Sequence, residues 1–143
     1  MPIVELFISL KVPDNVAITA FHTLERMNFK INKLERKDYY KFEFEGNEEE
    51  FKNKISDVDI LINSNKHNVD FKLENKEVNV LVQDLGEDSK LLKNLKEHFN
   101  FKNIKKAEKG VLWTMYLGNK GLAKEITESL LINENYQKYT ILR

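Results

Sequence analysis

Hydrophobic positions along this chain change period several times, and each change marks an element. Ile3 to Leu10 is a run of β-branched, aromatic and aliphatic residues with Glu5 inside it, the composition of a strand. Pro13-Asp14 interrupts the run, and Asp14 stands where a helix cap is wanted. Ala17, Ala20, Phe21, Leu24 and Met27 then recur at helical spacing, which predicts a helix over roughly 14–28. Phe29 to Arg36 reads as a second strand. Tyr40, Phe42 and Phe44 alternate with Lys41, Glu43 and Glu45, the period of a third, half-buried strand that Gly46-Asn47 ends. Glu48, Glu49 and Glu50 fall in the first turn of a second helix, where they complement its macrodipole. Phe51, Ile55, Val58 and Ile62 make the apolar stripe of that helix, and Asn68 to Leu73 closes the series as a short strand. The predicted order is βαββαβ.

After the short polar link Glu74-Asn75-Lys76 the same order begins again. Val78, Val80 and Val82 alternate as a strand, and Gly86-Glu87-Asp88-Ser89 opens a helix carrying Leu91, Leu92, Leu95 and Phe99. Phe101 to Ala107 and the strongly apolar Gly110 to Leu117 are predicted as two further strands. A helix with Leu122, Ile126, Leu130 and Leu131 follows Gly118, and Tyr136 to Leu142 ends the pattern. Locally the two halves share residues as well as order. Leu61-Ile62-Asn63-Ser64-Asn65 recurs as Leu131-Ile132-Asn133-Glu134-Asn135, Val69 and Phe71 fall opposite Tyr139 and Ile141, and Gly46 and Gly118 both stand at a strand-to-helix turn. The expected organisation is therefore α+β: two tandem ferredoxin-like βαββαβ units, residues 1–75 and 76–143, each with an antiparallel sheet and both helices on one face, together a pseudo-dimer. A period this long is unlike that of a solenoid and fits duplication of a compact unit.

Composition narrows what such a chain can do. With 143 residues, 41% hydrophobic and 32% charged, it can build a core and keep a solvated surface. Lys plus Arg equals Asp plus Glu, so the net charge is zero, which removes the simplest electrostatic case for nucleic acid or an anionic membrane. Cysteine is absent, which excludes disulfides, thiolate zinc sites, iron–sulfur clusters and thiol catalysis. No apolar run approaches the ~20 residues of a membrane-spanning helix, and the first apolar run has no basic leader, so a cytoplasmic protein is expected.

Candidate chemistry is sparse. His22, His67 and His98 lack ligand spacing and sit among solvent-type residues. Gly118-Asn119-Lys120-Gly121 lacks the pattern of a phosphate loop and reads as a turn and helix cap. Glu48, Glu49 and Glu50 are consecutive helical residues that point in different directions, unlike a metal site. Lys102, Lys105, Lys106 and Lys109 form the one basic concentration, but Glu108 interrupts it and no stacking aromatics are interleaved. No nucleophile, base and orienting group assemble along the chain. The residues by themselves indicate a duplicated α+β binding or scaffold protein with no catalytic residues, metal or cofactor of its own.

Several segments carry a resemblance that is more specific. Val4 to Lys11 ends an alternating strand in Leu-Lys, Ala20-Phe21-His22-Thr23-Leu24 is similar to an Ala-Leu-His-Ser-Leu helix, and Phe42-Glu43-Phe44-Glu45-Gly46 precedes acidic residues. Leu130-Leu131-Ile132-Asn133, Tyr139-Thr140-Ile141 and Lys109-Gly110-Val111 look like the end of the same pattern. In these segments the chain resembles the PurS family, the small subunit of phosphoribosylformylglycinamidine synthase, as two diverged copies spanning almost its whole length. The resemblance implies a non-catalytic subunit of an ATP-dependent glutamine amidotransferase of purine biosynthesis. Such a subunit dimerises and bridges a PurL-like synthetase and a PurQ-like glutaminase; whether this chain pairs again as a homodimer is left open. Candidate partner-binding residues are the large strand aromatics Tyr39, Tyr40, Trp113 and Tyr116, a residue class enriched at interface hot spots; packing between the halves is their competing role. The rival reading is a tandem amino-acid sensor of the ACT type, also βαββαβ, for which Gly86 is the only glycine in the expected turn.

Overall fold

The computed structural model describes residues 2–58, 61–63, 65–73, 77–84, 89–132 and 137–142. Ser64, Gly86, Tyr136, Asn133-Glu134-Asn135 and the link Glu74-Asn75-Lys76 lie outside that set. So the recurring Leu-Ile-Asn motif and the glycine of the sensor reading are described only in part or not at all.

Within the described residues the fold is α+β. The chain runs β1 (Ile3–Leu10), α1 (Asn15–Arg26), β2 (Lys33–Phe44), α2 (Glu48–Ile55), β3 (His67–Asp70), β4 (Val78–Asp84), α3 (Ser89–His98), β5 (Ile104–Tyr116), α4 (Leu122–Ile126) and β6 (Gln137–Leu142). The six strands form an antiparallel sheet in the order β3-β1-β2-β5-β4-β6. The longest described helix, α1, has 12 residues, and no described helix is long and apolar enough to cross a membrane.

Local chemistry explains most element boundaries. Asp14 caps α1 as expected, its carboxylate accepting from the Val16 and Ala17 N–H groups at 3.0 and 3.3 Å. Arg36 fixes that cap from the side, donating through Nε at 2.9 Å and Nη2 at 3.2 Å. Asn47 caps α2, and Glu48, Glu49 and Glu50 occupy its first turn. The helix ends at Ile55, before the predicted stripe does. The Ser56 hydroxyl bonds the Lys52 carbonyl at 2.7 Å, and Val58 and Ile62 are buried from turns rather than from a helical face. The last helix is shorter still. After α4 the backbone widens into a π-helical turn, Thr127–Leu131, at the point where the buried Thr127 hydroxyl bonds the Ala123 carbonyl at 2.8 Å.

Two corrections concern the strands. Phe29–Arg36 and Tyr40–Phe44 were expected as separate strands, as were Phe101–Ala107 and Gly110–Leu117; each pair is a single long strand, β2 and β5. Between Arg36 and Tyr40 there is no glycine or proline, and Lys37 to Tyr39, the gap between the two expected strands, continue the strand. Gly110 marks a close approach inside β5 rather than the start of a strand. A Cβ at that position would lie 2.7 Å from the Val82 carbonyl oxygen of β4.

Packing divides the chain into two compact units. Unit 1 comprises residues 1–11, 38–73 and 86–109, and unit 2 comprises 12–37, 74–85 and 110–143. Packing asks which faces cover one another, and it groups the chain otherwise than an order-of-elements repeat at 1–75 and 76–143. Each unit takes elements from both halves of the chain. Unit 1 joins β1, α2, β3 and the Asp38–Phe44 part of β2 to α3 and the Ile104–Lys109 part of β5. Its core centres on Leu6, Ile8, Phe42, Phe44, Leu95 and Phe101. Unit 2 joins α1 and the Lys33–Lys37 part of β2 to β4, α4, β6 and the Gly110–Tyr116 part of β5. Its core centres on Leu24, Leu34, Val80, Met115, Ala123 and Ile126.

Candidate functional site

The four aromatic candidates lie on the two long strands, two in each unit. In unit 1, Phe7 of β1 stands directly across from Tyr39 of β2. Their rings meet at 5.5 Å between centroids, both nearly buried. The Tyr39 hydroxyl donates to Glu5 Oε2 at 2.6 Å. Burial comes first among the causes that hold this phenol far above its ordinary range. The bond to Glu5 and the negative charges of Glu5 and Glu108 act in the same direction. Tyr39 is thus a neutral donor at every physiological pH. Tyr40, the next residue, points to the other face of the strand. It is half-buried against the unit 1 core and lies parallel to Phe42 at 6.2 Å.

In unit 2, Trp113 is 7% exposed and part of the core, opposite Val80 in the β4–β5 register. Tyr116 is half-buried. Its hydroxyl donates to the Glu35 carboxylate, Lys33 Nζ stands 3.7 Å from that carboxylate, and the same ammonium lies 5.4 Å from the centre of the Tyr116 ring. Here a phenol, a carboxylate and an ammonium from β2 and β5 stand together. Tyr40 and Tyr116 keep part of their surface in solvent, whereas Tyr39 and Trp113 are enclosed.

The partners that shape these positions carry no signal in a linear reading. Glu5 and Glu35 are ordinary alternation positions until strand register sets them beside Tyr39 and Tyr116. Asn79 and Thr114 are a further instance. They face each other across β4 and β5, are 0% and 1% exposed, and share a 2.7 Å hydrogen bond. A buried polar pair of this kind fixes register, because a slip would leave both groups unsatisfied.

The remaining candidates are surface groups. His22 is 58% exposed beside Glu25, His67 Nδ1 accepts from the Asn63 N–H at 2.9 Å, and His98 ends α3 in solvent. Glu48 and Glu49 pair with Lys52 at 3.3 and 3.9 Å, Lys105 faces Glu45 at 4.0 Å, and Lys106 pairs with Glu108 at 3.1 Å. Asn119 holds the turn before α4 by accepting from the Gly121 N–H at 3.0 Å. Among the described residues no group of three or more His, Cys, Asp or Glu is placed to hold a metal ion. No family model matches the chain, and no curated protein matches it.

Proposed function

We propose that this chain is a non-catalytic scaffold subunit, PurS-like in construction, in which two βαββαβ copies are fused into a covalent dimer. Its role is to hold a PurL-like synthetase and a PurQ-like glutaminase together, so that ammonia released from glutamine reaches the synthetase of a purine-biosynthetic amidotransferase.

The observation that supports this reading is the matched architecture of the two halves. Each runs strand, helix, long strand, helix, strand, and each long strand stands where the repeat has two. The first helix of each half ends on an asparagine in the left-handed region, Asn28 at φ 68 and Asn100 at φ 61. Each is followed by Phe-Lys, Phe29-Lys30 and Phe101-Lys102. Within each unit one backbone bond joins the two halves at matching places. Asn32 N–H bonds the Tyr116 carbonyl at 2.8 Å and Glu45 N–H bonds the Asn103 carbonyl at 3.0 Å, the same span of chain separating the two bonds on either strand. Of the four candidate aromatics, Tyr40 and Tyr116 are the two with surface to offer a partner.

The test uses purified components. The chain is mixed with a PurL-type synthetase and a PurQ-type glutaminase, with and without ATP and glutamine, and run on a sizing column. The reading requires a ternary complex that fails to form without this chain, and a glutamine-dependent rate that rises when it is added. Three separate peaks and an unchanged rate overturn it.

A further inference from the structure

We infer that the two halves of the chain are complementary partners, so that cutting the link between them leaves a tightly associated two-fragment protein rather than two independent domains. The inference rests on packing inside each unit and not on the proposed function.

In unit 1 the first half supplies β1, α2 and β3, and the second half supplies the cover. Phe51 of α2 meets the Phe101 ring edge-on at 5.7 Å, and Leu95 and Ile104 are fully enclosed in the same core. Polar contacts join the same pieces. Lys54 Nζ donates to the Asn100 carbonyl at 2.7 Å and lies 4.4 Å from the centre of the Phe101 ring. Glu45 and Asn103 exchange two bonds, the Glu45 N–H to the Asn103 carbonyl at 3.0 Å and the Asn103 side-chain amide to the Glu45 carbonyl at 2.6 Å. In unit 2 the roles reverse. The second half supplies Val78, Val80, Val82, Met115 and Ile126, and the first half covers them with Leu24 of α1 and Leu34 of β2. The Asn32–Tyr116 backbone bond and the Tyr116–Glu35 pair tie that unit along its strands.

A half on its own therefore exposes one side of two cores. Such apolar area is not tolerated in water and drives association with whatever completes it. The completing surface is the other half, and its shape and hydrogen-bonding groups are specified residue by residue.

The experiment inserts a specific protease site between Asn75 and Lys76 of the full chain, purifies the intact protein and cuts it. The two fragments are expected to co-elute at the mass of the whole chain and to keep the blue-shifted emission of the enclosed Trp113. A hundredfold dilution is expected to lower the denaturant midpoint of the cut protein while leaving that of the uncut protein unchanged, because only the cut form unfolds with dissociation. The further variant Phe101→Ala, made in the cut protein, is expected to release the fragments at concentrations where the parent stays whole. Fragments that separate after cutting, or a cut protein whose midpoint ignores dilution, overturn the inference.

Discussion

Unit 1 and unit 2 are assembled from the same kinds of parts and filled with different chemistry. The unit 1 core is built on rings: Phe51 lies parallel to Phe44 at 4.0 Å and meets Phe42 and Phe101 at 5.8 and 5.7 Å. The unit 2 core is aliphatic in its sheet layer, with Val78, Val80, Val82 and Met115, and Trp113 as its large ring. It compensates with polar locks: Arg36 on the Asp14 cap, Tyr116 on Glu35, and the buried Asn79–Thr114 pair. Topology thus decides which faces must be covered, while the filling answers only to volume and hydrogen-bond satisfaction. Few large rings concentrate stability in single side chains. Many small ones spread it.

The sharpest way to break that contrast is to truncate one side chain in each core. Phe51→Ala removes a ring packed against three others and is expected to cost about 4 kcal/mol, the middle of the range for buried aromatics. Met115→Ala, fully buried in unit 2, is expected to cost about 2–3 kcal/mol, because a flexible thioether leaves a hole its neighbours can partly fill. Denaturant unfolding of both variants measures the difference. Equal losses would show that the rings carry no special share.

A second comparison sets two glycines of unit 2 against each other. At Gly110 a methyl group would lie 2.7 Å from the Val82 carbonyl and 2.9 Å from Gln83 Cγ, so Gly110→Ala forces β4 and β5 apart and is expected to cost about 2 kcal/mol. At Gly118 a methyl group meets nothing within 4 Å, and Gly118→Ala is expected to stay within about 0.5 kcal/mol of the parent. If the two variants melt together, the close pairing that makes β5 one strand across Gly110 is wrong.

These two cases also show where sequence reading stopped. The α+β class, the Asp14 cap, the acidic first turn of α2 and the core-facing valines of β4 follow from short-range rules of period and capping, and short-range rules were enough. What failed was long-range. Lys37 and Asp38 fell in a gap between two expected strands because charge is a poor guide to a strand whose side chains are partly exposed. Gly110 looked like the start of a new strand because the backbone that demands it arrives from β4. The interleaving of halves within each unit was invisible for the same reason. Leu95 and Phe101 read as core residues in any linear scan, but nothing local says that Phe42 and Phe51 are what they cover. Of the four aromatic candidates, the place on strands and packing as a competing role were legible, but not that Tyr39 and Trp113 are the two enclosed.

Charge gives a milder way to probe unit 1. Folding holds the Tyr39 phenol protonated well above the pH at which an unfolded tyrosine ionises, about 10. The sign follows from linkage. Below about pH 10 the phenol is neutral in both states and its contribution is fully present. Above that the unfolded chain sheds the proton while the folded one keeps it, so stability falls as pH rises. Tyr39→Phe cannot ionise in either state, and its stability is expected to decline less steeply between about pH 10 and 11 than that of the parent. Ultraviolet titration of the parent is expected to show the Tyr39 phenol withheld until unfolding, a withheld fraction that Tyr39→Phe lacks. Superimposable pH profiles of parent and variant would refute the buried Tyr39–Glu5 contact.

The smallest effects test whether the two helix ends are equivalent. Asn28 and Asn100 both hold left-handed backbone, where an alanine Cβ crowds the following carbonyl and asparagine is better tolerated. Asn28→Ala and Asn100→Ala are each expected to cost about 1 kcal/mol. Neither changes a core side chain, and the Lys54 bond to the Asn100 backbone carbonyl survives the substitution. The two losses should therefore agree within about 0.5 kcal/mol and add in the double variant, since the sites lie in different units and share no hydrogen-bond partner among the described residues. A twofold or larger disparity would mean that the two helix ends differ in strain despite their matching backbone angles. Equivalence, by contrast, would show that an aromatic core and an aliphatic core can close the same turn at the same energetic cost.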